Sequence, residues 1–422
     1  MKNKRTALVI FGMMLALVLA FGIFSAFHRE RTLTVGIYVD SSWGVPNSGG
    51  TRVIDQAIRR FEKSNPGVRI RYENGINKDD YMDWLSEKIV SSKAPDVFIV
   101  PYNQFNLLSS VGAMTDLDRY MRRDGIAGSM FYRGTLMAGR YTGRQYALPY
   151  ETNPMMMCVN TDLLKKNGIS MPKNSWTLDD LYDICRKITR DTNGDGTVDQ
   201  FGIAGYTWQD AASACGARLF NSDGTGADFN SARVRKALTM MEKLNALTGN
   251  AHPNSDDFDK GKVAFLPMTL AQYRTYKSYP YHVARYSSFS WTCIKMPAES
   301  PTIAGTNSET SLFAVSSQST QKGLAWKFIR MLCCSEEFQQ YMCANSQGAS
   351  VLEKCSSGYD SALSSNGLKR ILNSMNCPPH FRKYNTAMDQ ADYLISRALD
   401  NRDADVEIGQ IQERIENTLQ GR

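Results

Sequence analysis

The residues of this 422-residue chain that could do chemistry are aromatic and amide side chains placed just after predicted strands. Trp43 follows the strand pattern at residues 33–39, in a loop rich in Ser, Gly and Pro. Tyr102 and Asn103 follow the apolar run at residues 97–100. Aromatic rings beside amides or carboxylates suit a ligand with apolar faces and hydroxyl edges. These positions predict ligand contacts at one edge of a cleft, with loop packing or turn formation as the alternatives.

A second group of predicted ligand contacts is polar and stands where the chain crosses between halves of the molecule. Glu151 and Asn153 follow the predicted crossing at residues 146–150. Asn307 and Glu309 stand at a predicted return crossing. Their carboxylate and amide groups suit the hydroxyl edges of the same ligand. The alternative for Glu151 and Asn153 is a solvated position in the hinge.

Three aromatic residues of the second half complete the predicted ligand contacts. Tyr206 and Trp208 lie in the run Gly-Tyr-Thr-Trp-Gln, where burial in a core is the alternative. Tyr273 is the nearest aromatic residue after the run Gly-Lys-Val-Ala-Phe, and a helix-surface position is its alternative. No G-x-S-x-G, H-E-x-x-H or phosphate-loop motif accompanies them, and the histidines form no motif. We therefore expect no catalytic residue, no enzymatic activity and no required cofactor.

The segment Asp-Thr-Asn-Gly-Asp-Gly-Thr-Val-Asp has the pattern of an EF-hand calcium loop. Asp191, Asn193, Asp195 and Asp199 would supply oxygen ligands at loop positions 1, 3, 5 and 9, with glycine at position 6. The twelfth position is a glycine, so the usual bidentate glutamate is missing. The alternative is a polar turn after a helix, which Asn, Asp and Gly also favour. The prediction is a structural Ca²⁺ and not a catalytic metal.

The elements that must position these residues alternate between helices and strands. Val68 and Ile70 alternate as in a strand, whereas residues 97–100 form a continuous apolar run typical of a parallel strand covered on both faces. Thr177 and Asp180 form a capping-box pattern at a helix start. A helix-to-strand repeat of about thirty residues predicts βαβ units and an open parallel sheet. Ligands of such α/β sheets bind beyond the carboxyl ends of the strands.

The first 31 residues are interpreted as a signal peptide or membrane anchor. Lys2, Lys4 and Arg5 precede an uncharged, mostly apolar stretch at residues 6–27, long enough to span a bilayer. Whether this segment is cleaved stays open, but either reading exports the remainder. Most of the net charge of +7 lies in this segment, so the body gives no case for nucleic acid. Nine cysteines leave at least one unpaired, and most are interpreted as buried small side chains, with one or two disulfides open.

Eight short runs, taken in order, resemble the family 1 extracellular solute-binding proteins of bacterial ABC importers, the group that includes maltose-binding protein. Each run alone is weak, and the shared order carries the resemblance. The runs are F-E-K-S-N-P-G-V at 61–68, K-A-P-D-V-F at 93–98, G-A-M-T-D-L at 112–117, Y-A-L-P-Y at 146–150, N-T-D-L-L at 160–164, W-T-L-D-D-L at 176–181, G-K-V-A-F at 261–265 and A-W-K-F-I at 325–329.

This resemblance implies an α/β fold of the type II periplasmic-binding-protein kind, in which two lobes close on a ligand around a hinge. The N-terminal segment would be residues 1–31. Lobe one would comprise residues 32–147 and 309–345, and lobe two residues 148–308 and 346–422. The absence of any Gly/Ser/Pro-rich linker agrees with lobes joined by strand crossings.

The resemblance also implies an extracytoplasmic receptor that captures a mono- or oligosaccharide and delivers it to an ABC permease. The protein would be attached to the membrane by its N-terminal segment or secreted after cleavage, and we expect a monomer. The alternative is a membrane-anchored sensory or structural solute-binding module coupled to a signalling partner. Many sugar-binding members carry a Trp-bearing run after G-K-x-A-F, which this chain lacks, so the sequence leaves the identity of the ligand open.

Overall fold

The structure is a computed structural model, and it describes residues 30–39, 41–46, 51–73, 75–249, 251–278, 285–286, 288–300, 302–355, 363 and 365–421. The predicted signal peptide or anchor at residues 1–31 lies almost entirely outside the described residues. Among the helices within these ranges, none combines the length and the apolar character needed to cross a membrane.

The alternation of helices and strands confirms the predicted α/β class. The strands are β1 (Arg31–Gly36), β2 (Val68–Tyr72), β3 (Val97–Val100), β4 (Arg140–Tyr141), β5 (Arg144–Gln145), β6 (Ala147–Asn160), β7 (Phe201–Ile203), β8 (Val263–Thr269), β9 (Trp291–Ile294) and β10 (Ser308–Val315). The helices are α1 (Arg52–Ser64), α2 (Lys78–Val90), α3 (Phe105–Ser110), α4 (Asp118–Arg123), α5 (Arg133–Met137), α6 (Thr161–Lys166), α7 (Leu178–Ile188), α8 (Trp208–Ala214), α9 (Ala232–Thr248), α10 (Ser255–Asp259), α11 (Leu270–Lys277), α12 (Lys322–Cys334), α13 (Glu336–Asn345), α14 (Ser365–Asn373), α15 (Tyr384–Asn401) and α16 (Ala404–Gln420). Short 3₁₀ turns cover Tyr102–Gln104, Gly128–Met130 and Glu353–Cys355.

The main sheet has the strand order β2-β1-β3-β10-β6-β8-β7, with β9 pairing to β6. The strands β2, β1 and β3 are parallel, as the helix-to-strand repeat predicts. By contrast, β10 runs antiparallel to both β3 and β6. The pattern of βαβ units does not predict this change of direction, because β10 enters the sheet after the chain has completed a long excursion through lobe two.

Strand β6 passes without a break from lobe one into lobe two. The sequence predicts a crossing at residues 146–150 and a separate strand at 155–159, but the structure joins them into one strand of 14 residues. The joining residues have ladder partners, which keeps them extended. Thr152 lies opposite Ala349, with backbone N–H···O distances of 3.1 and 2.7 Å, and β10 pairs on the other side. The crossing is therefore a three-stranded ladder.

The core of lobe one surrounds β1, β3 and β10. It includes Phe313 and Trp326, both fully buried. Val351 and Leu352 pack in the same cluster. The bridge of Ala349 to Thr152 marks a third crossing, beside β6 and β10. Val351 and Leu352 both follow it, six and seven residues after the predicted end of the segment at residue 345, and the lobe boundaries stay a prediction.

Two further apolar clusters lie mainly in lobe two. Helix α7 contributes Leu181 and Ile188 to one of them. Its start carries the predicted capping box, since Thr177 N–H donates to Asp180 Oδ2 (2.8 Å) and Asp180 N–H donates to Thr177 Oγ1 (3.2 Å). Tyr132 of lobe one packs into the other cluster, so apolar contact links the lobes beside the strand crossings.

Candidate ligand-binding cleft

A hollow of about 650 Å³, open to solvent, lies against lobe one at the carboxyl ends of β1 and β3. The end of α13, the start of α1 and the crossing strand β6 complete its wall. This is the edge at which α/β sheets bind ligands. The lining residues are Ile37, Tyr38, Ser41, Ser42, Trp43, Thr51, Val53, Ile54, Ile99, Tyr150, Glu151, Phe313, Asn345, Ser346 and Gln347.

Trp43 lies in the wall of this hollow, as predicted from its position after β1. Its backbone N–H donates to Ser41 Oγ (3.1 Å), which holds the turn that carries it, and its side chain is only partly buried. The indole N–H is buried and forms no hydrogen bond of good geometry with the described residues. It lies near enough to Glu151 to lower the pKa of that carboxyl. An indole held in this way offers an aromatic surface next to a carboxylate.

Glu151 lies in the same wall and is 5% exposed. Its Oε1 accepts a hydrogen bond from Gly348 N–H (2.6 Å). Burial raises the pKa of the carboxyl, and contacts with Ser346, Trp43 and Gly348 oppose this shift. A Cβ atom at Gly348 would stand 2.5 Å from the carboxylate, so a larger residue there would displace the Glu151 side chain. Glu151 thus joins two of the strand crossings and also faces the hollow.

A second carboxylate, Glu309, lies on β10 two residues from the register partner of Glu151. Burial raises the pKa of Glu309, whereas Tyr102 and Lys78 lower it. Burial, followed by the charge of Glu309, raises the pKa of Tyr102 to about 12, although the Tyr102 ring is still 48% exposed. Tyr38 donates to Ser42 Oγ (2.9 Å) and is close enough to both Glu151 and Glu309 for their charges to raise its pKa, after the larger effect of burial. Tyr38 is thus close to both carboxylates, whereas Tyr102 and Glu309 lie outside the wall of the hollow and their ligand contacts stay predictions.

Asn103 is exposed beside Tyr102. Its predicted ligand contact stays a prediction. Its carbonyl oxygen accepts a hydrogen bond from the Asn385 side chain at the start of α15. A neighbouring pair also bridges the lobes, because Asn106 Oδ1 lies 3.0 Å from His380 Nδ1. Burial lowers the pKa of His380 to about 4, so the imidazole is neutral at pH 7. Asn103 therefore belongs to a lobe-to-lobe contact at the end of the cleft.

Asn153 and Asn307 have hydrogen-bond partners within the protein at the hinge. Asn153 is 1% exposed, and its Oδ1 accepts from Ala271 N–H (2.9 Å) at the start of α11. Asn307 accepts from Ser213 Oγ (2.8 Å) and donates to Asp210 Oδ1 (3.0 Å) of α8. These bonds tie β6 and β10 to two helices of lobe two. Neither residue lines the hollow, and ligand contact by Asn153 and Asn307 stays a prediction.

The three aromatic candidates of lobe two are buried in its apolar clusters, and their ligand contacts stay predictions. Trp208 is 3% exposed and donates from Nε1 to Asp392 Oδ1 (2.9 Å). Tyr206 is 8% exposed, and burial raises its pKa well above the usual value. Tyr273 is 2% exposed and packs edge-on against Trp291, with ring centroids 5.6 Å apart. Each side chain lies on the buried side of the element that carries it.

The predicted calcium loop is exposed, and its carboxylates accept hydrogen bonds from the loop itself. Asp191 accepts from three backbone N–H groups at 2.7 to 3.1 Å, and Asp199 accepts from Thr192 N–H (2.8 Å). These bonds lower the pKa of both carboxyls. Asn193 donates to Asp195 Oδ2 (3.0 Å). In the described ranges, no three His, Cys, Asp or Glu side chains come together as metal ligands. Calcium binding by this loop stays a prediction.

Sequence reasoning missed several residues of the wall. Tyr38 stands at the end of β1, and its position before Trp43 was a usable signal. Asn345, Ser346 and Gln347 end α13 and enter the third crossing. Their signal was a short polar run directly after an amphipathic helix. The sequence alone could not identify this polar run as part of the cleft, because it does not show that the chain crosses between the lobes at this point.

Two α/β lobes joined by strand crossings, with a polar and aromatic hollow at the crossing, define a hinged solute-binding protein. The sequence model of the bacterial extracellular solute-binding protein family matches residues 47–333. The chain belongs to this family.

A curated relative is also named as a binding protein. YcjN of Escherichia coli (strain K12), named as an ABC transporter periplasmic-binding protein, is 26% identical over 248 residues. The match covers 53% of this chain and 52% of YcjN, so the chain spans about half the length of this relative.

Solved structures share the fold over nearly the whole chain. The sugar-binding protein MalE from Xanthomonas citri has a TM-score of 0.77 at 16% identity, covering 93% of this chain and 98% of that one. The Listeria monocytogenes ABC substrate-binding protein Lmo0181, in complex with cycloalternan, gives 0.69 at 22% identity, covering 93% and 99%. The cyclic alpha-maltosyl-1,6-maltose binding protein from Arthrobacter globiformis gives 0.75 at 16% identity, covering 93% and 99%. The two-lobed fold is therefore that of these proteins.

Proposed function

We propose that this chain is the extracytoplasmic solute-binding component of an ABC transporter and captures a carbohydrate between its lobes. The observation that carries the proposal is the placement of Trp43 beside Glu151 in the wall of the hollow. A partly exposed indole offers an apolar surface to a sugar ring, and a buried carboxylate accepts hydrogen bonds from its hydroxyl groups. The structural relatives named above bind sugars, which supports the same class of ligand.

The binding mode follows from the hinge. Glu151 lies on the crossing strand β6 and accepts a hydrogen bond from Gly348 N–H on the third crossing, so a ligand that contacts Glu151 contacts the hinge. Closure around a ligand is a hinge motion that a few residues at element ends absorb. A ligand that contacts both lobes binds the closed form better and shifts the equilibrium toward it. Delivery to the permease would use this closed form.

Further parts of the proposal concern partners and location. The protein would dock as a monomer on the permease subunits and would carry out no chemical step. Its N-terminal segment would either hold it on the outer side of the cell membrane or be removed after export. The uncharged stretch at residues 6–27, with its basic flank, supports both versions.

The first test is a thermal-shift screen of the chain from residue 32 against sugars, polyols, sugar phosphates, amino acids and polyamines. A solute that binds only the folded state raises stability by about 2.7 kcal/mol at one hundred times its Kd. We expect a shift with one class of saccharide, followed by a calorimetric Kd. The same measurement on Trp43→Ala identifies the cleft as the site.

The matched control is Tyr393→Ala, which removes an aromatic ring that is 66% exposed on lobe two. It should leave the saccharide shift unchanged. Shifts with polyamines or amino acids alone would reject the carbohydrate while keeping the solute-binding class. A saccharide shift that survives in Trp43→Ala would place the site elsewhere.

A further inference from the structure

Two cysteines of lobe two face each other across a pair of strands. All nine cysteines carry free thiols, and eight of them are buried. Cys158 on β6 is the register partner of Cys293 on β9. Both side chains are buried, at 0% and 4% exposure. Cys333 and Cys334 do not oppose each other in this way, because they are sequence neighbours on α12, where adjacent side chains point apart.

The hydrogen bonds of the ladder define the geometry of this pair. Thr161 N–H donates to Ser290 O (3.0 Å), so these two residues form a hydrogen-bonded pair in the same register. Pair types alternate along an antiparallel ladder, which makes Cys158 and Cys293 a non-hydrogen-bonded pair. The Cα atoms of such pairs lie about 4.5 Å apart, within the range of about 4.4 to 6.8 Å that disulfides span. The backbone therefore already has the separation that a disulfide needs.

A disulfide between Cys158 and Cys293 would hold the strand β9 in place. β9 is an edge strand that pairs only with β6 among the described strands. An edge strand is held by one ladder alone, so a covalent link to β6 would resist its detachment. The Lys277 ammonium donates to Trp291 O (2.9 Å) on β9 and interacts with both thiols. Burial raises the pKa of the Cys158 thiol well above its usual value, so the thiol reacts poorly once it is buried.

We propose that Cys158 and Cys293 form a cross-strand disulfide in the exported protein, stapling β9 to the hinge strand β6. One S–S bond forms as the two thiols together lose two protons and two electrons. The electron acceptor is the disulfide of a thiol–disulfide oxidant outside the cytoplasm, which is reduced to a dithiol. The exchange takes place while the chain is still folding, before both sulfurs are buried. Disulfides persist in the compartment in which this family works.

The test refolds the reduced full chain in mild detergent, in a buffer of reduced and oxidised glutathione. Acid quenching, alkylation under denaturing conditions and peptide mass spectrometry then map the free thiols. We expect the number of alkylated cysteines to fall by two from nine and the peptides of Cys158 and Cys293 to be linked. Nine alkylated cysteines, or linked peptides from other pairs only, would overturn the proposal.

Matched variants separate this bond from random oxidation. Cys333→Ser should retain the linked peptide, whereas Cys158→Ser should leave Cys293 fully alkylated. A second measurement uses the folded protein. The melting temperature of the oxidised wild type should fall on adding a reductant, and that of Cys158→Ser should not respond. An equal response in both would show that another bond is responsible.

Discussion

The two lobes use their aromatic residues differently. In lobe one, Trp43 and Tyr102 follow the ends of β1 and β3, and both rings stay partly exposed near the hollow. In lobe two, Trp208 and Tyr273 are nearly inaccessible and pack into the core. The same residue types therefore supply a candidate ligand surface in one lobe and stability in the other.

The cause is the element that each residue belongs to. Trp43 lies in a turn after a strand, where no helix carries its side chain back onto the sheet. Trp208 is the first residue of α8, whose capping box at Thr207 starts the helix directly before it. A helix start of this kind fixes the direction of the next side chains, and here they point toward α9 and α15. Proximity to a strand end in sequence is therefore not enough to place a residue in the cleft.

The largest expected effect tests the core side of this comparison. Trp208→Ala should lower the free energy of unfolding by about 3–5 kcal/mol, because it removes a buried indole and leaves a cavity. Denaturant unfolding measures the change, with Tyr393→Ala as the exposed control, expected within about 0.5 kcal/mol of the wild type. The folded fraction of Trp208→Ala should bind ligand normally. Lost affinity with unchanged stability would instead put Trp208 in the cleft.

The next effect tests the cleft side. Trp43→Ala should weaken ligand binding by about 2 kcal/mol, or roughly thirtyfold in Kd, as expected for a tryptophan at the centre of a binding surface. Its stability should change far less than that of Trp208→Ala, since the ring is only partly buried. Calorimetry and denaturant unfolding on the same samples give both numbers. Equal losses of stability in the two variants would remove the contrast between the lobes.

A smaller effect should separate the charge of Glu151 from its shape. Glu151→Gln keeps an acceptor for Gly348 N–H but removes the charge, and it should weaken ligand binding by about 1 kcal/mol. Stability should respond to pH as well. Burial raises the pKa of Glu151 above its ordinary value of 4.5, so the folded state keeps the proton to higher pH than the unfolded chain.

The wild type should therefore lose stability relative to Glu151→Gln as the pH rises from about the unfolded pKa through the folded pKa. Below this window the difference between the two proteins should be constant. Unfolding curves measured from acidic to neutral pH give the comparison. If the wild type instead gains stability relative to Glu151→Gln as the pH rises, contacts in the folded state stabilise the charged form more than burial penalises it.

The smallest expected effect concerns lobe two alone. If the loop with Asp191 and Asp199 binds calcium, millimolar Ca²⁺ should raise the melting temperature by a few degrees in a saturable way. Asp191→Asn should abolish the shift without changing ligand affinity, since the loop is exposed and outside the wall of the hollow. Mg²⁺ at the same concentration is the control. No response to Ca²⁺ would leave the loop as a hydrogen-bonded turn.

Much of the fold could be predicted from local patterns, because strand alternation, helical stripes and caps are short-range properties. Thr177 and Asp180 form the predicted capping box, and the parallel strands lie where the apolar runs predicted them. By contrast, no local pattern shows that Val351 and Leu352 pack in the core of lobe one.

The sequence by itself determined the family and the two-lobed α/β class, and it predicted Trp43 after a strand end and Glu151 at a crossing. Only the tertiary structure decided that Asn153 and Asn307 bond within the hinge, that Ser346 lies beside Trp43, and that two distant cysteines oppose each other. These outcomes depend on strand register and on contacts between residues far apart in the chain. Such contacts arise from packing of the whole molecule, which no local pattern of residue types encodes.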